Sequence, residues 1–190
     1  MPDFNTAAVR FGKPGKLYIA ALGTAEPTSV SSAWNAAFVP LGYTEEGSAF
    51  TSELSTEDVA VAEELEPIAV ATTGRVSSVS VALAEITHRN LSIALNGGTI
   101  VTPDGQNWTF EPPDTGTETR YMLGWDASAN VATNDLRFLF RRVLTVGNLD
   151  MGNRKGATKA TLSVQFRLEK PADGVSKPFK VWGAGVLNPV

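Results

Sequence analysis

Chemistry requires particular side chains within reach of one another, and this chain offers few. His88 is the only histidine, which removes most metal sites and any catalytic arrangement that needs two imidazoles. A serine nucleophile would have to use His88, and no G-x-S-x-G elbow is present. His88 therefore reads as an exposed or partly packed helix residue. Cysteine is absent, so disulfides and cysteine-ligated metals are excluded. The glycine-rich stretch 147–156 lacks both the Lys-Ser/Thr ending of a phosphate loop and the G-x-G-x-x-G order. Carboxylates cluster at Glu45 with Glu46, and at Glu57, Asp58, Glu63, Glu64 and Glu66. Such pairs can cleave glycosides or hold calcium. Neither calcium-hand spacing nor a substrate-stacking pattern accompanies them, so they read as a solvated acidic face. Arg137, Arg141, Arg142, Arg154 and Lys155 form the one candidate basic patch. A net charge of −4 and a pI near 5.1 argue against a dedicated nucleic-acid binder, which gains affinity by neutralising phosphates. No cofactor or metal site is expected.

The elements that must position these residues are mostly strands. From Lys159 to Glu169, Ala160, Leu162, Val164, Phe166 and Leu168 alternate with polar residues, which predicts a strand with one buried face. Asp135–Val146 repeats the theme: Leu136, Phe138, Phe140, Leu144 and Val146 share a face that Arg142 interrupts. The Gly- and Asn-rich residues between them read as a long hairpin connection. Leu17 with Ile19 and Ala21, Val79 with Val81 and Leu83, and Tyr121 with Leu123 and Trp125 alternate likewise. Trp125 and Trp182 lie in strand-like runs and are expected in the core, whereas Trp108 sits among loop residues. Thr73-Gly74 predicts a hairpin turn between Val59–Thr72 and Arg75–Leu83, with Pro67 marking an edge, bulge or break. Ala84–Gly98 departs from the pattern. Leu91, Ala94 and Leu95 at helical spacing, Thr87 one turn earlier and Gly97 as C-cap predict a helix over about residues 84–96. Residues 103–119 are loop-rich, and 47–57 read as strand or extended polar loop. The sum is a mainly β fold, an antiparallel β-sandwich or partial barrel with one flanking α-helix. At 190 residues it is one domain, with 43% hydrophobic and 19% charged residues typical of folded chains. No run of about 18 apolar residues suggests a membrane span. The N-terminus lacks the pattern of a signal peptide, and the N-x-S/T matches at Asn90 and Asn107 are read as chance.

Four short motifs follow one another in a telling order. Gly15, Tyr18, Ala20, Gly23, Thr24 and Pro27 spell G-x-x-Y-x-A-x-x-G-T-x-x-P. Leu41, Gly42, Tyr43, Glu46 and Gly47 spell L-G-Y-x-x-E-G. The apolar run Val76–Leu83 leads into the sole helix, and Phe179, Val181 and Trp182 close with F-x-V-W. In this order the chain resembles the major tail tube proteins of long-tailed, siphovirus-type bacteriophages, especially those of actinobacteria, over almost its whole length. It departs at VAVAEELEPI, residues 59–68, where relatives commonly carry an aromatic-Gly segment.

The resemblance implies a structural virion protein with no enzymatic activity, assembled in the host bacterial cytoplasm. It implies stacked hexameric rings forming a tube that conducts double-stranded DNA without binding it specifically. The implied partners are further copies of the chain, the tape-measure protein, the tail terminator and the distal tail protein, with no membrane. On this basis residues 1–190 form a single tail tube domain, with 1–14 as an N-terminal arm and 44–58 as a candidate inter-ring loop. Its candidate contact residues are Glu45, Glu46, Ser48, Phe50, Thr51, Glu53 and Glu57. An acidic lumen suits the passage of a polyanion, and Glu63, Glu64 and Glu66 are the candidates to supply it. Glu64 and Glu66 would share a face on a regular strand. The alternatives are a monomeric carbohydrate-type β-sandwich binding module, which would show an exposed aromatic platform, and a tail terminator or distal tail component of the same fold.

Overall fold

The computed structural model describes residues 15–102, 106–127, 135–147, 149, 151 and 160–184. The expected N-terminal arm, Arg154 and Lys155 lie outside them. Ten strands and one helix occur among the described residues. They are β1 Lys16–Ala21, β2 Val39–Pro40, β3 Thr44–Val59, β4 Ala69–Leu83, α1 His88–Ala94, β5 Thr99–Val101, β6 Thr109–Glu111, β7 Tyr121–Ala127, β8 Leu136–Val146, β9 Leu162–Leu168 and β10 Phe179–Gly183. The main antiparallel sheet runs β2-β1-β7-β8-β9-β4-β3, with β10 also on β8, and β5 and β6 form a separate two-stranded sheet. Residues 103–119, expected to be largely loop, thus contain β6.

The sheet curls over on itself. Three strand spacings separate β8 from β3, roughly 14 Å if the sheet were flat. Yet the Phe50 ring of β3 lies 5.4 Å from Phe140 of β8 and 5.3 Å from Phe179 of β10. The enclosed core takes Leu17 and Ile19 from β1, Leu123 from β7, Phe140 and Val143 from β8, Val79, Val81 and Leu83 from β4, and Leu162, Val164 and Phe166 from β9. This is the expected sandwich-like β fold. The alternation in β9 buries Leu162, Val164 and Phe166 as expected. In β8 the alternation fails at one step, because Val143 rather than Leu144 continues the face of Phe138 and Phe140. Leu123 pairs with Phe140 but Tyr121 with Val143, so β8 carries one extra residue against β7. That bulge, at Arg141 and Arg142, resets the parity.

The middle strands are buried on both faces. Behind β1, β7 and β8 a second cluster joins Ala20, Phe38, Met122 and Leu139 with Tyr18, Trp34 and Trp182. Trp34 seats the 22–38 loop there, its ring centroid 5.3 Å from Tyr18 and 4.7 Å from Phe38. Its Nε1 donates to Asp126 Oδ2 at 2.8 Å, and Asp126 also accepts from the buried Arg137, whose guanidinium lies 4.6 Å from the Trp34 ring. Gly124 is what lets the ring sit flat on β7.

Helix α1 closes one end of the sandwich and is shorter than expected. Thr87 is its N-cap, accepting from Asn90 N at 3.1 Å. At its C-terminus Asn96, with φ 60°, adopts the left-handed conformation, so Asn96 takes the place expected of Gly97. Asn96 N bonds Ile93 O and Gly97 N bonds Ser92 O, satisfying the last carbonyls. The Asn96 side chain then brackets the backbone of Thr145 in β8 with bonds of 2.7 and 2.8 Å. At the other end buried Asn90 donates to Leu41 O at 3.0 Å, and Tyr43 N donates to Glu85 Oε1 at 2.9 Å. Between them Gly42 has φ 95°, and a Cβ there would lie 2.6 Å from the Glu85 carboxyl. The turn therefore requires glycine.

A Cβ at position 124 would lie 2.4 Å from the Trp34 ring. Gly124→Ala should lift that ring and cost about 1–3 kcal/mol, typical of overpacking. A urea titration followed by tryptophan fluorescence measures this, and an unchanged midpoint and spectrum would contradict it.

Candidate assembly surface

Strands β3 and β4 pair over their whole length but only their base belongs to the core. Phe50, Val79 and Val81 point inward, and the hydroxyls of Ser52 and Ser77 meet at 2.9 Å where the core ends. Beyond that point nearly every residue of both strands is exposed on either face. Seven further residues of β3 carry the ribbon about 23 Å outward at ~3.3 Å per residue, and residues 60–68 turn the chain back. The expected turn at Thr73-Gly74 is not there. Gly74 sits within β4 opposite Ser55, and the pairing shifts by one residue beyond it, with Thr56 opposite Thr72. A glycine at a bulge gives the same local signal as a glycine in a turn.

Cross-strand register sorts the ribbon into two faces. One carries Glu53, Glu57, Val59, Ala69, Ala71 and Val76; the other carries Leu54, Thr56, Asp58, Val70, Thr72 and Arg75. Val59, Val70 and Val76 are 41%, 64% and 43% exposed, and Leu65 at the tip is wholly so. A two-stranded ribbon with apolar side chains bare on both faces is marginal by itself. Among the described residues no strand pairs with the outer edge of β3. This surface is built to be covered.

The sequence-derived candidates fall in three places. Glu45, Glu46 and Ser48 lie at the base of β3, and Phe50 packs against Phe138, Phe140 and Phe179 inside the subunit. Thr51 is exposed and shares a 2.9 Å hydroxyl contact with Ser78, while Glu53 and Glu57 lie on one face of the ribbon. Residues 44–58, expected as a loop, are strand. Glu63, Glu64 and Glu66 are exposed in the terminal turn, outside any strand, so strand parity does not govern them. The apolar ribbon residues Val59, Val70 and Val76 were passed over; their β-branching within a polar stretch was the available signal.

The arginines are occupied elsewhere. Arg137 pairs with Asp126, Arg141 with Glu26 (Nη2 to Oε2, 2.9 Å) and Arg142 with Glu169 (Nε to Oε2, 2.7 Å). Hydrogen bonding from Arg141 holds the Glu26 carboxyl below its ordinary value, and Arg141 is raised in return. Partial burial of Glu169 opposes its charge, but Arg142 and Arg120 together outweigh it and lower that carboxyl too. The candidate basic patch is thus spent within the subunit as far as it is described. The His88 ring packs 5.8 Å from Trp108. Among the described residues no group of three or more His, Asp or Glu is placed to hold a metal ion. No helix among them is long and apolar enough to cross a membrane.

A curled antiparallel sheet with one capping helix and a projecting ribbon, with no metal cluster among the described residues, is the frame of a structural subunit. The model of the family described as phage tail tube protein matches residues 2–144, and the chain belongs to that family. It is a structural tail tube protein, a component of the virion that self-assembles into a tube. No curated protein matches the chain.

The two lowered carboxyls give a direction for pH. Each starts from an ordinary value of 4.5, so the stability they contribute is full above that pH and is lost as pH falls through their lower folded values. Dilute subunits should melt at a constant temperature from about pH 7 to about pH 5 and at falling temperatures below about pH 4.5. Glu169→Gln should melt lower at neutral pH and show a shallower acid-side fall. Parallel acid limbs would place the titrating groups elsewhere.

Proposed function

We propose that the chain forms stacked hexameric rings of a siphovirus-type tail tube that conducts double-stranded DNA, in a phage of actinobacteria. The tape-measure protein, tail terminator and distal tail protein are its other partners. The observation that carries this reading is the β3–β4 ribbon, an ordered arm without a covering surface in a chain of the tail tube family. Ring closure pairs open sheet edges, and an arm reaching the next ring covers its apolar faces. Glu45, Glu46, Ser48, Thr51, Glu53 and Glu57 line that arm from base to shaft, and Phe50 anchors it in the core. Glu63, Glu64 and Glu66 at its tip supply negative potential to the channel, where like charge keeps the polyanion from sticking.

Size-exclusion chromatography with negative-stain microscopy of the purified chain tests the assembly itself; a monodisperse monomer at high concentration would count against it. Because Phe50 is needed in the core, a truncation must spare the base of β3. Replacing residues 54–75 by Asn-Gly joins Glu53 to Val76 through a two-residue turn suited to a hairpin. This variant should fold with near-parental stability and fail to elongate, and normal tubes from it would refute the role of the arm.

Glu64→Lys with Glu66→Lys should leave tube assembly intact and slow or stall genome ejection, measured as DNA release from assembled tails. Assembled tails with unchanged ejection would place the channel charge on other residues.

A further inference from the structure

Charge is divided unevenly along this chain. Residues 17–74 hold nine of its 20 acidic residues and no lysine or arginine, leaving 16 basic residues against 11 acidic in the rest. On the ribbon, Glu53, Glu57, Asp58 and the tip glutamates are exposed and make no ion pair among the described residues. The face with Glu53 and Glu57 carries no cation; it holds Ser55 and Gly74 between the two carboxylates, Val76 and Ala71 opposite them, and Val59 with Ala69 beyond. Arg75, the single basic residue of the ribbon, lies on the reverse face opposite Leu54.

The opposite character recurs at the end of β9 and the start of β10. Arg167, Lys170, Lys177 and Lys180 are exposed, and none forms an ion pair among the described residues, in contrast to Arg120, Arg137, Arg141 and Arg142; Lys180 Nζ lies 4.7 Å from the Trp182 ring. Interspersed among them are Val175, 84% exposed, and Val181, 42% exposed. The strip also holds two carboxylates: Glu169 is engaged by Arg120 and Arg142, and Asp173 accepts from the backbone of Val175 and Ser176. Its four cations outnumber them and stand around bare valines, whereas the ribbon face presents carboxylates around bare valines and alanines.

We propose that the Glu53–Glu57 face of the ribbon docks on the strip 167–181 of a second copy of this chain, pairing carboxylates with cations and valine with valine. This rests on the tail tube reading and names the surface that receives the arm. Glu53, Glu57, Val59 and Val76 are exposed within the subunit, so its own strip does not cover them. Because the pairs lie at exposed positions, they steer and register the contact and are screened by salt. The charge separation also opposes an arm-to-arm contact, since two such faces repel.

The test is tube formation by the full chain, followed by sedimentation and negative-stain microscopy at about 50 and about 500 mM salt, where the screening length falls from roughly 14 to roughly 4 Å. Three variants are compared with the parent: Glu53→Lys with Glu57→Lys, Lys170→Glu with Lys177→Glu, and all four together. Thermal melts of dilute subunits confirm that each is folded. Each two-residue reversal should reduce assembly at low salt by about tenfold or more, and the fourfold variant should restore most of it. High salt should weaken the parent and relieve the reversal variants. Reversals that assemble like the parent, or a fourfold variant as defective as either half, would overturn the docking while leaving the tube intact. A parent that stays monomeric at every salt concentration would overturn the tube reading and the docking with it.

Discussion

Strand β8 divides one of its edges between two partners, and the shape of the subunit follows from that division. Its first half pairs with β10 from Phe140 to Leu136, and its last residues, Val143–Val146, pair with β9. β9 is only seven residues long and is used up by Ser78–Leu83 of β4 on its other side. β4 has fifteen residues, so it outruns its neighbour and continues with β3 alone. Hydrogen bonding within the β3–β4 pair keeps the extension ordered, but no third strand and no second layer is left to cover it. The projecting arm is thus a consequence of mismatched strand lengths around one shared edge.

The same strand separates a fixed interior from an adaptable exterior. Its bulge at Arg141 and Arg142 turns two guanidiniums outward, where Glu26 and Glu169 meet them across 115 and 27 residues of sequence. Arg137, one strand turn earlier, ties the 22–38 loop to β7 and β8 through Asp126 and the Trp34 ring. Arg137 is buried and Asp126 a quarter exposed, so removing either member leaves the other's charge unpaired and partly desolvated. These cations therefore serve the fold. The carboxylates of the ribbon have no such partners, and their charge is available to whatever the arm meets.

A tube protein has to satisfy opposing demands on its sheet edges. Within a free subunit the outer edge of β3 and the apolar side chains of the ribbon invite association with any other strand. The carboxylates distributed along the ribbon offset this, because two ribbons of like charge resist stacking on each other. Apolar residues give the arm something to bury, and charge restricts where it can be buried.

Much of this fold was written in local patterns. The period of two in β9, the alternation around Val79 and Leu83, the Thr87 cap and the F-x-V-W strand each reflect a side chain's relation to its own backbone, and each is found where the pattern puts it. The order of the motifs was enough to indicate the family. Pairings between distant segments were beyond reach of such patterns. Thr73-Gly74 signals a change of backbone direction, but only the register of β4 on β3 makes it a bulge and moves the turn to residues 60–68. The parity break after Phe140 needed β7 alongside β8. Whether an arginine is a free cation or half of an ion pair depends on a carboxylate anywhere in the chain, so local sequence could name a candidate basic patch but not decide it. Composition and periodicity determined a β subunit with one helix, and the order of its motifs carried the resemblance to the tail tube family. The tertiary structure alone decided which strand outlasts its neighbours, because that depends on the lengths of all the strands that share an edge.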